Sequence, residues 1–262
     1  MNNSNRKETF TLFDIQNDPY IFNKYIRRLN KYKNKIKYSK LILKARVLIP
    51  ELNNFKLANI KTKQKDKGRK GKISEYCLFG QKPNCMSSPD YGNIGIEIKV
   101  TNFKILKNGG FNAKERVTIS NIGSTNNYDT FNDIIKNEKL ENTKVFKKIK
   151  KILLIGINHS NKTFMGMCLI DYNELEDLFK NQIIKDYKDI RNKIITKTIT
   201  QKGQKFLHIH KHGCKGHETR ALGFKQKFIT EIFSKKMKYK YFEKGNSYYF
   251  NIKKSATKTN NN

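Results

Sequence analysis

The pattern of apolar and polar positions along the 262 residues changes period several times, and each change marks an element. Residues 20–33, YIFNKYIRRLNKYK, place Tyr20, Ile21, Tyr25, Ile26 and Leu29 at helical spacing, and 38–48 form a second apolar stretch. The N-terminal part therefore reads as helical. From Asn59 to Lys72 a basic, glycine-bearing run reads as a mobile loop leading into a short helix over 72–79. GQKPNCMSSPDYGN follows as turn material. IGIEIKVT then alternates Ile96, Ile98 and Val100 against Glu97, Lys99 and Thr101, which is the period of a strand. Further strands are predicted at 115–122, 151–158 and 163–171, the last two as a hairpin through HSNK, with a late strand in NSYYFNIK. Helices are predicted in part of 130–150, at 172–194 with Leu175, Leu178, Phe179, Ile183 and Ile184 inward, and at 224–236.

These elements predict an α/β (α+β) chain with a central mixed β-sheet flanked by helices. No repeat or linker divides it, and its length suits one well-buried core or two closely packed subdomains. A single domain is expected over 13–252, between a flexible N-terminus (1–12) and a disordered tail (253–262).

Charge narrows the class of partner. Lys and Arg number 55 against 22 Asp and Glu, a formal net charge of +33, and a field of that sign attracts polyanions. A Lys- and Asn-rich composition alone would raise the lysines without depressing the acids. Nucleic acid is the leading partner. No stretch approaches the roughly 18 apolar residues of a membrane span. The start MNNSNRKETF carries no apolar run of the signal-peptide kind, so a cytoplasmic location is expected. Four scattered cysteines do not make a disulfide framework and read as reduced thiols.

The chemistry concentrates in GKISEYCLFGQKPNCMSSPDYGNIGIEIKVT. Phosphodiester hydrolysis needs a metal held by hard oxygen ligands, an attacking water and a positive group near the reacting atoms. Pro89-Asp90, six residues, then Glu97-x-Lys99 gives the pattern PD…ExK, and strand period points Glu97 and Lys99 to one face. Glu75, on the short helix, adds a third carboxylate. The plainer alternative is a surface strand with Glu and Lys in register and Asp90 making a turn with Gly92. A second cluster is FLHIHKHGCKGH, in which strand period puts His208, His210 and His212 on one face near Cys214 and His217. Imidazole and thiolate suit zinc, but alternate strand residues lie too far apart to share one ion easily. The histidines are therefore read as exposed or phosphate-contacting, and zinc is not expected.

The segments KGRKGKISE (67–75), the Phe-Gly pair at 79–80 and PDYGNIGIEIKVT (89–101) resemble the MutH family of mismatch-repair nickases and type II restriction enzymes. Lys67, Gly68, Gly71, Glu75, Gly80, Asp90, Tyr91, Gly95, Glu97 and Lys99 carry the resemblance. It implies a restriction-endonuclease-like PD-(D/E)xK core with two subdomains around a DNA-binding cleft. The first, 13–145, would be catalytic with the N-terminal helices, and the second, 146–252, would supply a core strand and DNA recognition. The resemblance further implies that Glu75, Asp90 and Glu97 bind Mg2+, for which Mn2+ can substitute, and that Lys99 positions or activates the water. KKIKKILLIGI (147–157) places Lys148 near the active site by the same likeness. DNA contacts are expected from Lys67, Arg69, Lys70, His210, Lys211, His212, Arg220, Lys225 and Lys227. Gly223 departs from the Tyr of GATC-cutting members, which leaves the target sequence unassigned. The implied function is a type II restriction endonuclease cutting double-stranded DNA at a short specific sequence and leaving 5′-phosphates. It would act as a homodimer on DNA, with a cognate methyltransferase as genetic partner. The alternatives are a strand-nicking mismatch-repair enzyme and a non-catalytic basic nucleic-acid-binding protein.

Overall fold

The computed structural model describes residues 9–60, 68–82, 88–123, 129–211 and 219–252. The helices are α1 (Leu12–Asn17), α2 (Pro19–Asn30), α3 (Tyr38–Leu48), α4 (Arg69–Phe79), α5 (Asp129–Lys136), α6 (Phe146–Ile149), α7 (Asp177–Ile195) and α8 (Gln226–Met237). The strands are β1 (Glu97–Ile105), β2 (Phe111–Ala113), β3 (Val117–Gly123), β4 (Lys151–Asn158), β5 (Phe164–Asp171), β6 (Leu207–Lys211), β7 (Arg220–Phe224), β8 (Lys240–Lys244) and β9 (Ser247–Asn251). Six of them form one sheet in the order β5-β4-β1-β2-β9-β8, and β3-β7-β6 form a second. In the large sheet β1 and β4 run parallel and the other neighbours antiparallel, so the predicted mixed sheet flanked by helices is what the chain forms.

Strand period sorts the core into two layers. Ile96, Ile98, Leu153, Ile155 and Ile157 join Phe22, Tyr25, Leu41, Leu78 and Phe79 of α2, α3 and α4 in one apolar cluster. Phe103, Ile152 and Leu154, from the alternate positions, join Phe228, Phe233 and Phe250 in the other. β4 serves both layers, which is why KILLIGIN reads as a nearly unbroken apolar run: every residue after Lys151 is buried. Gly156 on β4 lets α8 approach, since a Cβ there would lie 2.4 Å from Phe233 Cζ. The N-terminal helices are placed by capping. Asp18 accepts from Tyr20 N at 2.7 Å and Ile21 N at 3.2 Å, with Pro19 at the first helical position of α2.

The structure differs from the sequence reading in several places. The helix predicted from 172 begins at Asp177 after a short 3-10 turn, and its buried face is Phe179, Ile183, Asp186, Tyr187, Ile190 and Ile194. Leu178 is 69% exposed, because it sits on the opposite side of that face. α4 starts three residues before the predicted helix, and β1 starts at Glu97 rather than Ile94 and runs on to Ile105. The strand predicted at 115–122 leaves the central sheet and pairs with β7, and β8 was not predicted at all. Period reports that a residue alternates; it does not report which strand it pairs with. Half of the predicted mobile loop, 61–67, lies outside the described residues and its last residues, 69–72, belong to α4, while the predicted tail and most of the predicted N-terminal flexible stretch lie outside the described residues.

The second sheet is tied to α7 by one buried carboxylate. Asp186, 1% exposed, accepts from Lys205 N at 2.9 Å, Phe206 N at 2.6 Å and Leu207 N at 2.9 Å, at the entry to β6. Replacing it leaves three amide donors without an acceptor. Asp186→Ala is expected to lower stability by about 3 kcal/mol in denaturant titration, the cost of orphaned buried donors. A change under about 0.5 kcal/mol would show that this tie does not hold the sheet.

Candidate active site

The spacing between Asp90 and Glu97 is closed by a tight hairpin. Tyr91 and Ile96 bridge, with Tyr91 N bonding Ile96 O at 2.9 Å and Ile96 N bonding Tyr91 O at 3.1 Å. The turn between them uses Gly95 at φ +69°, a left-handed conformation that favours glycine. Asp90 is thereby laid alongside β1, and its Oδ2 accepts from Ile98 N at 2.7 Å. Glu97 is 1% exposed. Lys99 Nζ stands 2.5 Å from Glu97 Oε1 and Lys148 Nζ 3.6 Å from the same oxygen. Glu97 Oε2 is buried with no hydrogen-bond partner among the described residues.

Glu75 reaches the site from α4, and the Phe-Gly pair explains how that helix is stopped and anchored. Gly80 caps it at φ +66°, with Gly80 N bonding Tyr76 O at 3.1 Å and Gln81 N bonding Glu75 O at 2.9 Å. A Cβ at Gly80 would lie 2.8 Å from Leu12 Cδ2, so the close approach of α1 requires glycine as well. Gln81 Nε2 then donates to Asp90 O at 2.8 Å, tying the helix end to the hairpin. Tyr91, 1% exposed, packs edge-on against Phe79 and Phe22, and its hydroxyl donates to Phe79 O. Tyr25 OH donates to Leu78 O at 2.7 Å. Gly71 lies one turn before Glu75, and a Cβ there would be in ordinary contact with Glu75 Oε1 at 3.6 Å, so the carboxylate does not require glycine at this position.

The three carboxylates lie within one another's fields. Burial pushes Glu75 up to about 7, Asp90 and Glu97 push the same way, and Lys99 and Lys148 oppose them. Glu97 is also raised, first by burial and then by Asp90, against the pull of Lys99 and Lys148. Among the described residues no three His, Cys, Asp or Glu side chains converge closely enough to grip an ion as they stand. The donor set is nonetheless of oxygens only, which suits Mg2+ or Mn2+ rather than zinc. Glu97 Oε2, buried and without a partner, is the atom such an ion would satisfy.

Among the described residues, the other predicted contact residues fall in two groups, Arg69 and Lys70 at the start of α4 and the rest along β6, β7 and the start of α8. Lys67 and His212 lie outside the described residues. Arg69 is exposed at the start of α4, and Lys70 is half-buried with its Nζ 2.5 Å from Asn102 Oδ1. Lys211 is exposed and Arg220 half-buried, while Lys225 donates to Gln204 O and Lys227 pairs with Glu243. The histidines are not exposed as expected. His208 and His210 are 3% and 2% exposed and stack with ring centroids 4.8 Å apart. Gly223, opposite His208 on β7, has no side chain and leaves space that the His210 ring approaches. A Cβ at Gly223 would lie 2.5 Å from Val117 O and 3.1 Å from His210 Cε1, so this backbone leaves no room for a tyrosine. The possible zinc partners Cys214 and His217 lie outside the described residues. Sequence reasoning did not pick out Gln81 or the anchoring role of Tyr91, although the Phe-Gly pair was the signal that a helix stops beside them.

Comparison with known proteins finds two matches, one of which takes in most of these residues. Residues 79–183 match the family model of the DNA mismatch repair enzyme MutH. Over 113 residues the chain is 33% identical to the type II restriction enzyme Sau3AI of Staphylococcus aureus, covering 43% of this chain and 21% of that protein. The chain thus spans about a fifth of the length of this curated relative. Asp90, Glu97, Lys99 and Lys148 fall inside the family match, and Glu75 and β6 fall outside it.

A raised carboxyl pKa makes the metal-free fold less stable as the group ionises. For Glu75, whose folded value is about 7, the protonated form contributes stability below the unfolded carboxylate range, and this is lost as pH rises through 7. Glu75→Gln should therefore raise the metal-free melting temperature at pH 8 relative to the unsubstituted chain, and leave the difference near zero at pH 4. An equal effect at both pH values in calorimetry would contradict the assignment.

Proposed function

We propose, from the match of residues 79–183 to the MutH family model and the geometry of the carboxylates, that the chain is a type II restriction endonuclease. It cuts double-stranded DNA at a short specific sequence, depends on Mg2+ and leaves 5′-phosphates. One observation supports this most: a glutamate 1% exposed in β1, with two lysines on one oxygen, its other oxygen unpartnered, and an aspartate laid against the same strand. An ornamental surface pair would not be buried, and a structural ion pair would have both oxygens satisfied.

Charge explains why a cation belongs here. Glu75, Asp90 and Glu97 against Lys99 and Lys148 sum to 2 − 3 = −1 when all are ionised, so a DNA phosphate entering the site meets net repulsion. Asp90 and Glu97, with Glu75, would hold a divalent ion there, and such an ion would supply positive charge toward the phosphate oxygens and the attacking water. Lys99, whose side chain is 22% exposed, reaches solvent from the strand and orients the attacking water. Lys148, 13% exposed, approaches from α6 and balances charge on the phosphate. Gln81 and Ile98 N fix Asp90 so that its carboxylate need not reorganise. Of the surface cations, Arg69, Lys70, Lys211, Arg220 and Lys225 are proposed to contact the DNA backbone, with Lys67 and His212.

Double-strand cleavage at a palindromic site calls for two copies related by a two-fold axis, so a homodimer on DNA is part of the proposal. A methyltransferase of the same specificity would protect the host's own DNA in the cytoplasm. Among the described residues no helix is long and apolar enough to cross a membrane. The strand-nicking reading differs in one observable: a nickase relaxes supercoiled plasmid without linearising it.

Two outcomes are expected. Asp90→Ala and Glu97→Ala should each lower plasmid cleavage in Mg2+ by at least about a hundredfold while DNA binding in Ca2+ persists; retained cleavage by both would sink the assignment. Lys99→Ala should slow single-turnover cleavage to a similar degree without weakening DNA binding. A loss confined to affinity would make Lys99 a DNA contact instead.

A further inference from the structure

Away from the carboxylates, between the second sheet and α8, lies a pocket of about 500 Å³. Its walls include Lys114, Arg116, His208, Lys225 and Gln226, with Glu115 the one acid among the described lining residues. The formal balance is 3 − 1 = +2. His208 is 3% exposed, and neither of its ring nitrogens has a hydrogen-bond partner among the described residues. A buried imidazole with both nitrogens idle forfeits hydrogen bonds that a fold ordinarily satisfies, so a ligand is the expected complement. The pocket also meets the N-terminal end of the twelve-residue α8. There Lys225, the N-cap, makes no side-chain cap and the first turn holds no acid. Such a terminus leaves amide donors and a positive dipole end available to an anion.

We propose that this pocket binds a phosphate group of the DNA backbone, held by Arg116, Lys225, His208 and the N-terminal end of α8. The proposal rests on the nuclease reading for its ligand and adds a site apart from the reacting phosphate. In the unliganded chain His208 is neutral, pushed down to about 4 by burial, Lys225 and Arg116, which leaves one ring nitrogen a donor. A polyanion is favoured over a small free anion because the cations continue beyond the pocket. Lys114 Nζ lies 3.1 Å from His159 Nε2, Lys162 donates to His159 O, and Lys70 stands at Asn102, within the field of Lys114 and Lys162. Lys70 is on α4, the helix that carries Glu75, so this line of cations runs from the pocket toward the carboxylates. A single backbone can follow it.

The test uses the full chain in Ca2+ with histidine labelled by 15N, titrated with a short duplex and separately with inorganic phosphate. The duplex should shift the His208 ring signals, assigned through His208→Gln. Arg116→Ala and Lys225→Ala should each weaken duplex binding and reduce the slope of log affinity against log salt by about one. Inorganic phosphate should shift the same signals weakly and be displaced by the duplex. Duplex binding that leaves the His208 signals and both slopes unchanged would overturn the proposal. So would a response to inorganic phosphate that the duplex does not reproduce, since the pocket would then serve a free anion. Cleavage in Mg2+ is scored apart: a chain that shifts His208 on the duplex but cuts nothing keeps this site and loses the nuclease reading.

Discussion

A carboxylate buried in a sheet costs several kcal/mol unless its charge is met, and Glu97 is the residue on which that condition falls. It stands at the first position of β1, opposite Ile152 of a strand that is apolar from end to end, at 1% exposure. Lys99 meets half of its charge two residues along the same strand, and Lys148 approaches from the helix leading into β4. Both arrangements exist because β1 and β4 run parallel and in register, which brings the entry of β4 beside the entry of β1. The second oxygen of Glu97 has no partner among the described residues. The fold thus holds an unfinished charge in place, and its stability must come from elsewhere.

It comes from the two apolar layers on either side of the sheet. The layer of α2, α3 and α4 does more than bury area: Phe22, Tyr25, Phe79 and Tyr91 interlock as an aromatic group under the site. Tyr91 follows Asp90 directly, so packing its ring fixes where the carboxylate sits. Gly80 ends α4 where Gln81 can reach Asp90 O. Packing energy is in this way converted into the position of polar groups that have no packing of their own.

How much of this was legible in the sequence depends on how local each determinant is. Glu97 and Lys99 on one face follow from strand period alone, and their 2.5 Å contact agrees with it. The β4–β5 hairpin follows from two apolar runs joined by HSNK, and the structure forms it. The placement of Lys148 came from resemblance, because only the parallel pairing of β1 with β4, a long-range fact, brings it to Glu97. The second sheet was not legible for the same reason: β3 pairs with β7 across about a hundred residues. The exposure of His208 and His210 was misread because alternation locates a face but not what covers it. The pairing of their strand with β7, where Gly223 leaves space beside the His210 ring, is a long-range fact that alternation does not report.

The proposed function assigns Glu97, with Asp90 and Lys99, to a site-specific, metal-dependent endonuclease. The most direct test incubates the purified chain and Mg2+ with genomic DNA of known sequence and sequences the resulting ends, beside a Glu97→Gln preparation made identically. The account predicts 5′-phosphorylated ends clustered at one short recurring sequence, and none from Glu97→Gln. Ends spread without sequence preference, or the same ends from both preparations, would contradict it.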